Sequence, residues 1–358
     1  MTAKRSRQVP DRLRVFSAGR AEAALLFCLA LISCTERDRA EKGTARPDLV
    51  FKLALQPNAA NKVWEGANLV KEYLERESNG RIKVKFYDSA VLGNEIELLE
   101  DCHRGQIEMV QATSSKVTNL DPTFGILDLP YVFISDEHHK AVLHGSIGRD
   151  MLNGLREYNM QGLAFFDCGW RNIFTKRVAV RKPEDLAGLK IRVMPSPAMV
   201  AALNRMGASA TPLSATELFQ SIKTGVVDGA ENNPNVFMSE KFYEAGCNHY
   251  CLTQHFSNQH FLVVNLEWLE GVKQNHPDLH ELILKAPAAI MEEYDKRWGA
   301  AVAKAMDEME SVGVTIVRDV NKKAFMEEVQ PVVEEFFKRY SQVDRGYLTR
   351  IRREASLE

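Results

Sequence analysis

Residues 171–235 read RNIFTKRVAVRKPEDLAGLKIRVMPSPAMVAALNRMGASATPLSATELFQSIKTGVVDGAENNPN, and this stretch decides the fold. Two arginines, Arg171 and Arg192, stand 21 residues apart, and Asn232 follows 40 residues after the second. Residues 189–194 (LKIRVM) read as a strand, followed by a proline-interrupted loop. A helix is expected over 197–207 and another over 214–225, where Leu218, Phe219 and Ile222 share one face at the 3.6-residue period. The segment closes on VVDGAEN (226–232), a short apolar run that enters a turn.

Arg192 alternates with Ile191 and Val193 and so faces the opposite side of its strand. It sits just before Pro195, where the strand gives way to a loop. Ligands of open α/β sheets bind outside the carboxyl ends of strands. A guanidinium there suits a carboxylate, because its planar fork offers two parallel donors. The alternative is a surface arginine paired with a neighbouring Glu or Asp.

The ordered motifs of this stretch carry a family resemblance. They are Gly169-Trp170-Arg171, Pro183-Glu184-Asp185-Leu186-Ala187-Gly188-Leu189-Lys190-Ile191-Arg192-Val193, Gly207-Ala208 with Pro212, and Gly225-Val226-Val227-Asp228-Gly229-Ala230-Glu231-Asn232. In that order they resemble the TRAP-transporter substrate-binding proteins, the DctP-type extracytoplasmic solute receptors, over roughly residues 48–345. The resemblance implies an α/β two-domain periplasmic-binding-protein fold with the ligand in the cleft between domains, bridged by a long C-terminal helix region. It also implies that Arg171, Arg192 and Asn232 bind ligand.

The 358 residues exceed what one hydrophobic core normally holds, so two domains are expected. An apolar fraction of 45% places the body among soluble globular chains. The formal charge of −2 divides into +4 over residues 1–34 and −6 over the remainder. A mildly acidic body gives no electrostatic footprint for nucleic acid. The basic start ends at Arg20, and the apolar run 23–32 is too short to span a bilayer. Leu31-Ile32-Ser33-Cys34 resembles a bacterial lipobox, so residues 1–34 read as a signal peptide and Cys34 as the lipidation site, with the protein exported and membrane-anchored. Residues 35–48 are charged and aperiodic, as in a flexible tether.

Strands are expected at 50–56, 81–89 and 107–114, alternating with helices at 61–78 and 91–105; this order predicts parallel pairing. Residues 124–133 (FGILDLPYVF) resemble a further family signature. Helices follow over 136–157, then a strand at 162–170. Beyond the central segment, 249–255 and 261–265 read as two strands, and 276–313 as one long helix or two with a break near Pro287. A strand at 314–320 precedes a last helix over 322–341, kinked or started at Pro331. The resemblance divides this body into a first domain of 49–170 and 256–296 and a second of 171–255 and 297–358.

No catalytic signature is present: G-x-S-x-G, the P-loop and G-x-G-x-x-G are all missing. Cys247, His249 and Cys251, with His255 and His260 beyond, have spacings open to zinc, to a disulfide or to free thiols, and no metal site is assigned. His138-His139 reads as a solvated helix start. Glu95 follows a glycine turn at a strand end, where the bland reading is an acid on a helix dipole. The family often contacts ligand at the positions of Glu95, Gln56, Thr113 and His255. Asn233 joins the set if its side chain turns inward. Ala215 stands where some relatives carry an aromatic ring, and Tyr131 either lines the cleft or packs between elements.

The expected function is capture of a small carboxylate, a sugar acid such as a uronate, and its delivery to the membrane subunits of an ion-gradient-driven TRAP permease, with no cofactor and no catalysis. The uronate expectation comes from Gly229-Ala230-Glu231-Asn232-Asn233-Pro234, which resembles the sugar-acid subset of these receptors. The alternatives are an exported enzyme acting on a carboxylated sugar and a receptor for C4-dicarboxylates or keto acids.

Overall fold

Strand β1 (Leu49–Leu55) opens the body, where Phe51, Leu53 and Leu55 alternate into one core and Ala54 into another. The computed structural model describes residues 46–355, so the signal segment, most of the tether and the lipidation expected at Cys34 lie outside the described residues. Helix α1 (Glu65–Glu77) leads to β2 (Ile82–Tyr87), and α2 (Glu95–His103) to β3 (Met109–Thr113). Both β2 and β3 pair with β1 in parallel, as the alternation of elements predicts. Asn94 starts α2 with a reciprocal capping box to Glu97, which fixes Glu95 in the first turn.

The short α3 (Ser114–Val117), then α4 (Asp136–His144) and α5 (Ser146–Gly154), precede β4 (Met160–Thr175). Strand β4 runs straight through Arg171 instead of stopping before it. Next come β5 (Lys190–Val193), α6 (Pro197–Arg205), β6 (Ser209–Pro212), α7 (Ala215–Thr224), β7 (Gly229–Asn232) and α8 (Pro234–Ser239). The chain continues with β8 (His249–Asn265), α9 (Leu266–Asn275), α10 (Pro277–Ser311), β9 (Thr315–Val317), α11 (Lys322–Arg339) and α12 (Gly346–Glu354). All nine strands of the described residues form one sheet in the order β2-β1-β3-β8-β4-β7-β5-β6, with β9 also on β8.

The long antiparallel pair β4–β8 is the spine of that sheet. The two strands expected at 249–255 and 261–265 are one strand with a disturbed middle: register shifts occur at Asp167/Trp170 and Arg171/Ile173, and Gln254 has a φ of 46°. Extra residues on one strand re-aim side chains without ending the pairing. On one side of this disturbance lies an apolar cluster built on Phe51, Leu53, Phe166, Leu262 and Tyr294. On the other lies one built on Phe174, Ile222, Val227, Phe237 and Tyr250.

Helix α10 is continuous over 35 residues and passes through Pro287. Pro287 denies the Ile283 carbonyl its helical partner, yet Ile283, Ala286, Ile290 and Tyr294 keep one buried face on both sides of the proline. Burial of such side chains is worth about 1.5–3 kcal/mol each, enough to carry the helix across the break. Helix α11 likewise runs through Pro331. Helix α12 lies against α4 and α5, where His138 Nε2 meets the Ile351 carbonyl at 2.8 Å. The end of the chain therefore rests on the helices of residues 136–154.

Gly229 shows why its motif needs that residue. A Cβ there would sit 2.1 Å from the Phe174 carbonyl oxygen, because β7 is wedged between β4 and β5. Gly229→Ala is expected to cost at least about 1–3 kcal/mol through overpacking. Urea unfolding of the variant with an unchanged midpoint would contradict this close approach.

Candidate functional site

Arg171 leaves β4 between the two register shifts and is 2% exposed. Its Nη2 donates to Glu231 Oε1 at 2.9 Å and to the Glu231 carbonyl oxygen at 3.0 Å, while Nε donates to Glu231 Oε2. Glu231 is fully buried on β7, one strand over. The fork of Arg171 is thus held by a bidentate internal partner, with geometry fixed before any ligand arrives.

Arg192 is placed differently. It comes from β5, is 3% exposed, and its Nε and Nη2 both donate to the Leu213 carbonyl oxygen, at 2.9 and 2.7 Å. Among the described residues no carboxylate reaches it within ion-pair distance; Glu231 and Glu217 act only through space. Burial pulls its pKa down to about 10, and the nearby Arg171 adds to the effect against the pull of Glu231. It is a buried cation anchored by a neutral oxygen.

Asn232 ends β7 half-buried, with its side-chain oxygen accepting from the Asn233 N–H at 2.9 Å. Asn233 is a fastening. Its oxygen caps α8 by accepting from the Val236 N–H, and its amide nitrogen donates to the Cys168 carbonyl oxygen, both at 2.9 Å. Gln56, Glu95 and Thr113 come together. Gln56 Oε1 accepts from the Glu95 N–H at 3.2 Å, and the Glu95 carboxylate accepts from the Thr113 N–H at 3.0 Å and from its hydroxyl at 2.9 Å. His260, opposite Thr113 in the β3–β8 pairing, adds its Nε2 at 3.0 Å from the Thr113 hydroxyl.

His255 is buried, with Nδ1 2.8 Å from the Thr253 hydroxyl. Its Nε2 and the Nδ1 of His260 are buried atoms without a hydrogen-bond partner among the described residues. Burial pushes the His255 pKa down to about 3 with help from Arg171, and that of His260 to about 4 against the pull of Glu95. Both rings are neutral at physiological pH. Arg171 acts electrostatically on Arg192, His255, His260 and Asp128. Sequence reasoning overlooked Glu231 and His260 as site residues.

The expectation for the histidine pair turns out otherwise. His138 and His139 are buried and not solvated, the second between Asp167 and Gln259. Tyr131 packs on β8, its N–H donating to the His255 carbonyl oxygen and its hydroxyl to that of Thr253. Ala215 opens α7 at the surface. Cys102, Cys168, Cys247 and Cys251 are buried free thiols whose pKa burial pushes up, and the described residues hold no group of His, Cys, Asp and Glu arranged for a metal. A surface cleft of about 510 Å³ between residues 129–134 and α11 and α12 contains none of the site arginines.

A family model described as DctP, bacterial extracellular solute-binding protein, family 7, matches residues 54–340. The chain belongs to this family. A TRAP periplasmic solute-binding protein from Anaerococcus prevotii, solved with bound D-glucuronate, aligns with a TM-score of 0.79 at 26% identity over 86% of this chain and 98% of that one. The 2,3-diketo-L-gulonate-binding periplasmic protein of Escherichia coli is 28% identical over 271 residues, 76% of this chain and 81% of its own. The C4-dicarboxylate-binding periplasmic protein of Rhodobacter capsulatus is 29% identical over 282 residues, 77% and 82%. The DctP chain described here thus has the two-domain α/β architecture of solved periplasmic solute receptors.

Two predictions concern the buried charges. Glu231→Ala strands the Arg171 guanidinium and is expected to cost about 3–5 kcal/mol of stability; chemical denaturation showing a loss below 1 kcal/mol would mean the pair is not buried as described. Asp128 accepts from the Ser196 hydroxyl at 3.1 Å, and burial raises its pKa to about 7. A carboxyl whose folded pKa lies above its unfolded value keeps its proton longer when folded, so ionisation costs stability as pH rises toward 7 and the full cost is present above it. Asp128→Asn should therefore stabilise more at pH 8 than at pH 5, with a slope of about 1.4 kcal/mol per pH unit below 7. Equal effects at the two pH values would refute the raised pKa.

Proposed function

We propose that this DctP-family protein is an extracytoplasmic receptor that captures a small sugar acid of the uronate class and delivers it unchanged to the membrane subunits of an ion-gradient-driven TRAP permease. The observation that carries the reading is Arg192, a buried guanidinium without an ion-pair partner among the described residues. Burying a charge is costly unless an opposite charge meets it, and a ligand carboxylate supplies that charge. Arg171, held by Glu231, gives the same region a second guanidinium of fixed orientation.

The acid-binding end adjoins a group rich in hydrogen-bonding capacity, in which the Glu95 carboxylate and the unpartnered ring nitrogens of His255 and His260 are available to hydroxyls, with Thr113 and Gln56 holding Glu95 in place and Asn232 beside the arginines. The glucuronate-bound relative supports a uronate. The dicarboxylate-binding relative supports the second reading, a C4-dicarboxylate ligand. No catalysis is proposed: the Thr113 hydroxyl is tied to a carboxylate, and the buried thiols are held protonated. The lobes would be residues 49–170 with 256–296 and residues 171–255 with 297–358, closing on the ligand about the disturbed middle of β4 and β8. The family description places such proteins outside the cytoplasm, and no described helix is long and apolar enough to cross a membrane. The lipid anchor at Cys34 belongs to this proposal.

D-Glucuronate at 100 times its dissociation constant should stabilise the protein by about 2.7 kcal/mol, read as a rise in melting temperature. Arg192→Ala should remove that rise and weaken binding by about 2–5 kcal/mol in a calorimetric titration. A melting temperature indifferent to glucuronate, galacturonate and gluconate, or full affinity in Arg192→Ala, would overturn the reading.

A further inference from the structure

The two unpartnered ring nitrogens have opposite hydrogen-bonding character, and the network assigns which is which. Glu95 takes the Thr113 hydroxyl proton, at 2.9 Å to Oε1 and 3.1 Å to Oε2. A hydroxyl has one proton to give, so Thr113 can only accept from His260, and His260 Nε2, 3.0 Å away, carries its ring proton. A neutral imidazole has one N–H; His260 Nδ1 is therefore a bare acceptor, buried and without a partner. It stands 4.0 Å from Glu95 Oε1, a second acceptor.

At His255 the order is reversed. The Thr253 hydroxyl already accepts from the Ile173 N–H at 3.1 Å, and it satisfies its own proton by donating to His255 Nδ1 at 2.8 Å. The His255 proton is then on Nε2, a buried donor without a partner. Burial and the Arg171 charge keep both rings neutral, so neither assignment is blurred by a second ring proton. The region thus has donors in Arg192 and His255 and a pair of acceptors in His260 Nδ1 and Glu95.

We infer that His260 Nδ1 and Glu95 form an acceptor-only subsite that takes the hydroxyl donors of a sugar acid and rejects a second carboxylate, with His260 the specificity-determining residue. The inference rests on the sugar-acid reading above. Two hydroxyls of a sugar acid meet the two atoms by donating one proton to each. A carboxylate brought to the same place has no proton to give and faces a carboxylate and a bare lone pair. A site built for hydrogen bonds discriminates strongly against ligands that leave its buried groups unpaired.

Calorimetric titration of D-glucuronate and succinate into wild type, His260→Phe and His260→Asn tests this. Wild type should prefer glucuronate by at least about 100-fold. His260→Phe should weaken glucuronate by about 10–100-fold and leave succinate unchanged or tighter, while His260→Asn, with an oxygen near the Nδ1 position, should recover part of the preference. Equal losses for both ligands, or an undiminished preference in His260→Phe, would overturn the inference and leave the receptor reading intact. A wild type that binds no sugar acid would overturn both. Nitrogen-15 NMR of the wild-type histidines gives a check that needs no variant to fold: His255 and His260 should both be Nε2–H tautomers, and an Nδ1–H form of His260 would refute the subsite.

Discussion

The site is organised by the buried pair Arg171–Glu231. A bidentate ion pair in the interior contributes little net stability, because desolvating both charges offsets their attraction. What it does supply is fixed geometry. Glu231 lies opposite Ile173 in the β4–β7 pairing, so the carboxylate reaches Arg171 only when β7 is in register, and β7 holds that register only because Gly229 lets the Phe174 carbonyl approach. With Glu231 committed, Arg192 has only the Leu213 carbonyl oxygen. Of the two buried guanidiniums only Arg171 has a partner carboxylate, and the unpaired charge of Arg192 favours a ligand carboxylate beside it.

The strands that carry these charges are distorted where they do so. Arg171 sits between two register shifts, Gly169 has a φ of 73°, and Gln254 and Tyr131 adopt positive φ without being glycine. Left-handed backbone at such residues costs on the order of 1–3 kcal/mol each. Local bonds hold it in place. The Asp167 carboxylate accepts from the Gly169 N–H at 2.7 Å, and Tyr294 of α10 donates to the Asp167 carbonyl oxygen at 2.7 Å. Trp298, one turn further, would lie 3.3 Å from a Cβ on Gly169. The long helix therefore braces the same few residues at which the two halves of the sheet meet. That is a physical reason for its continuity through Pro287.

Most of the first half of the sheet could be read from the chain, because period-2 and period-3.6 patterns alternate cleanly there. The joining of residues 249–265 into one strand was less visible: Thr253, Gln254 and His255 interrupt the apolar pattern, and their role depends on β4 beside them. Strand β6 is four residues long and partly exposed, and α12 buries only Leu348 and Ile351, so neither has a strong apolar signature. In the site, Arg171, Arg192 and the Gln56–Glu95–Thr113 group could be named from motif and strand-end position. Glu231 was inside a quoted motif, and the signal that could have found it is chemical: two buried arginines need an acid. His260 had no local signal, since its partnership with Thr113 exists only through the antiparallel register of β3 and β8. Asn233 was misleading because a residue before a Pro-led helix is also a cap, and the cap uses its side-chain oxygen.

On the two-lobe reading proposed above, the same charge arrangement would couple binding to closure. Arg192 is nearly inaccessible to solvent in this conformation, and the burial that lowers its pKa costs free energy. In an arrangement with the lobes apart, water would solvate the guanidinium and the cost would vanish. An anion beside Arg192 removes the cost only in the closed arrangement. Its interaction free energy is consequently larger there, and a ligand shifts a conformational equilibrium by that difference in affinity. The neutral histidines act in the same direction, because an imidazole nitrogen left unpaired in the interior is a penalty that water relieves in the open form and a hydroxyl relieves in the closed one. An acid lacking hydroxyls answers the first penalty and leaves the second, so it closes the receptor less completely even where its carboxylate binds as well.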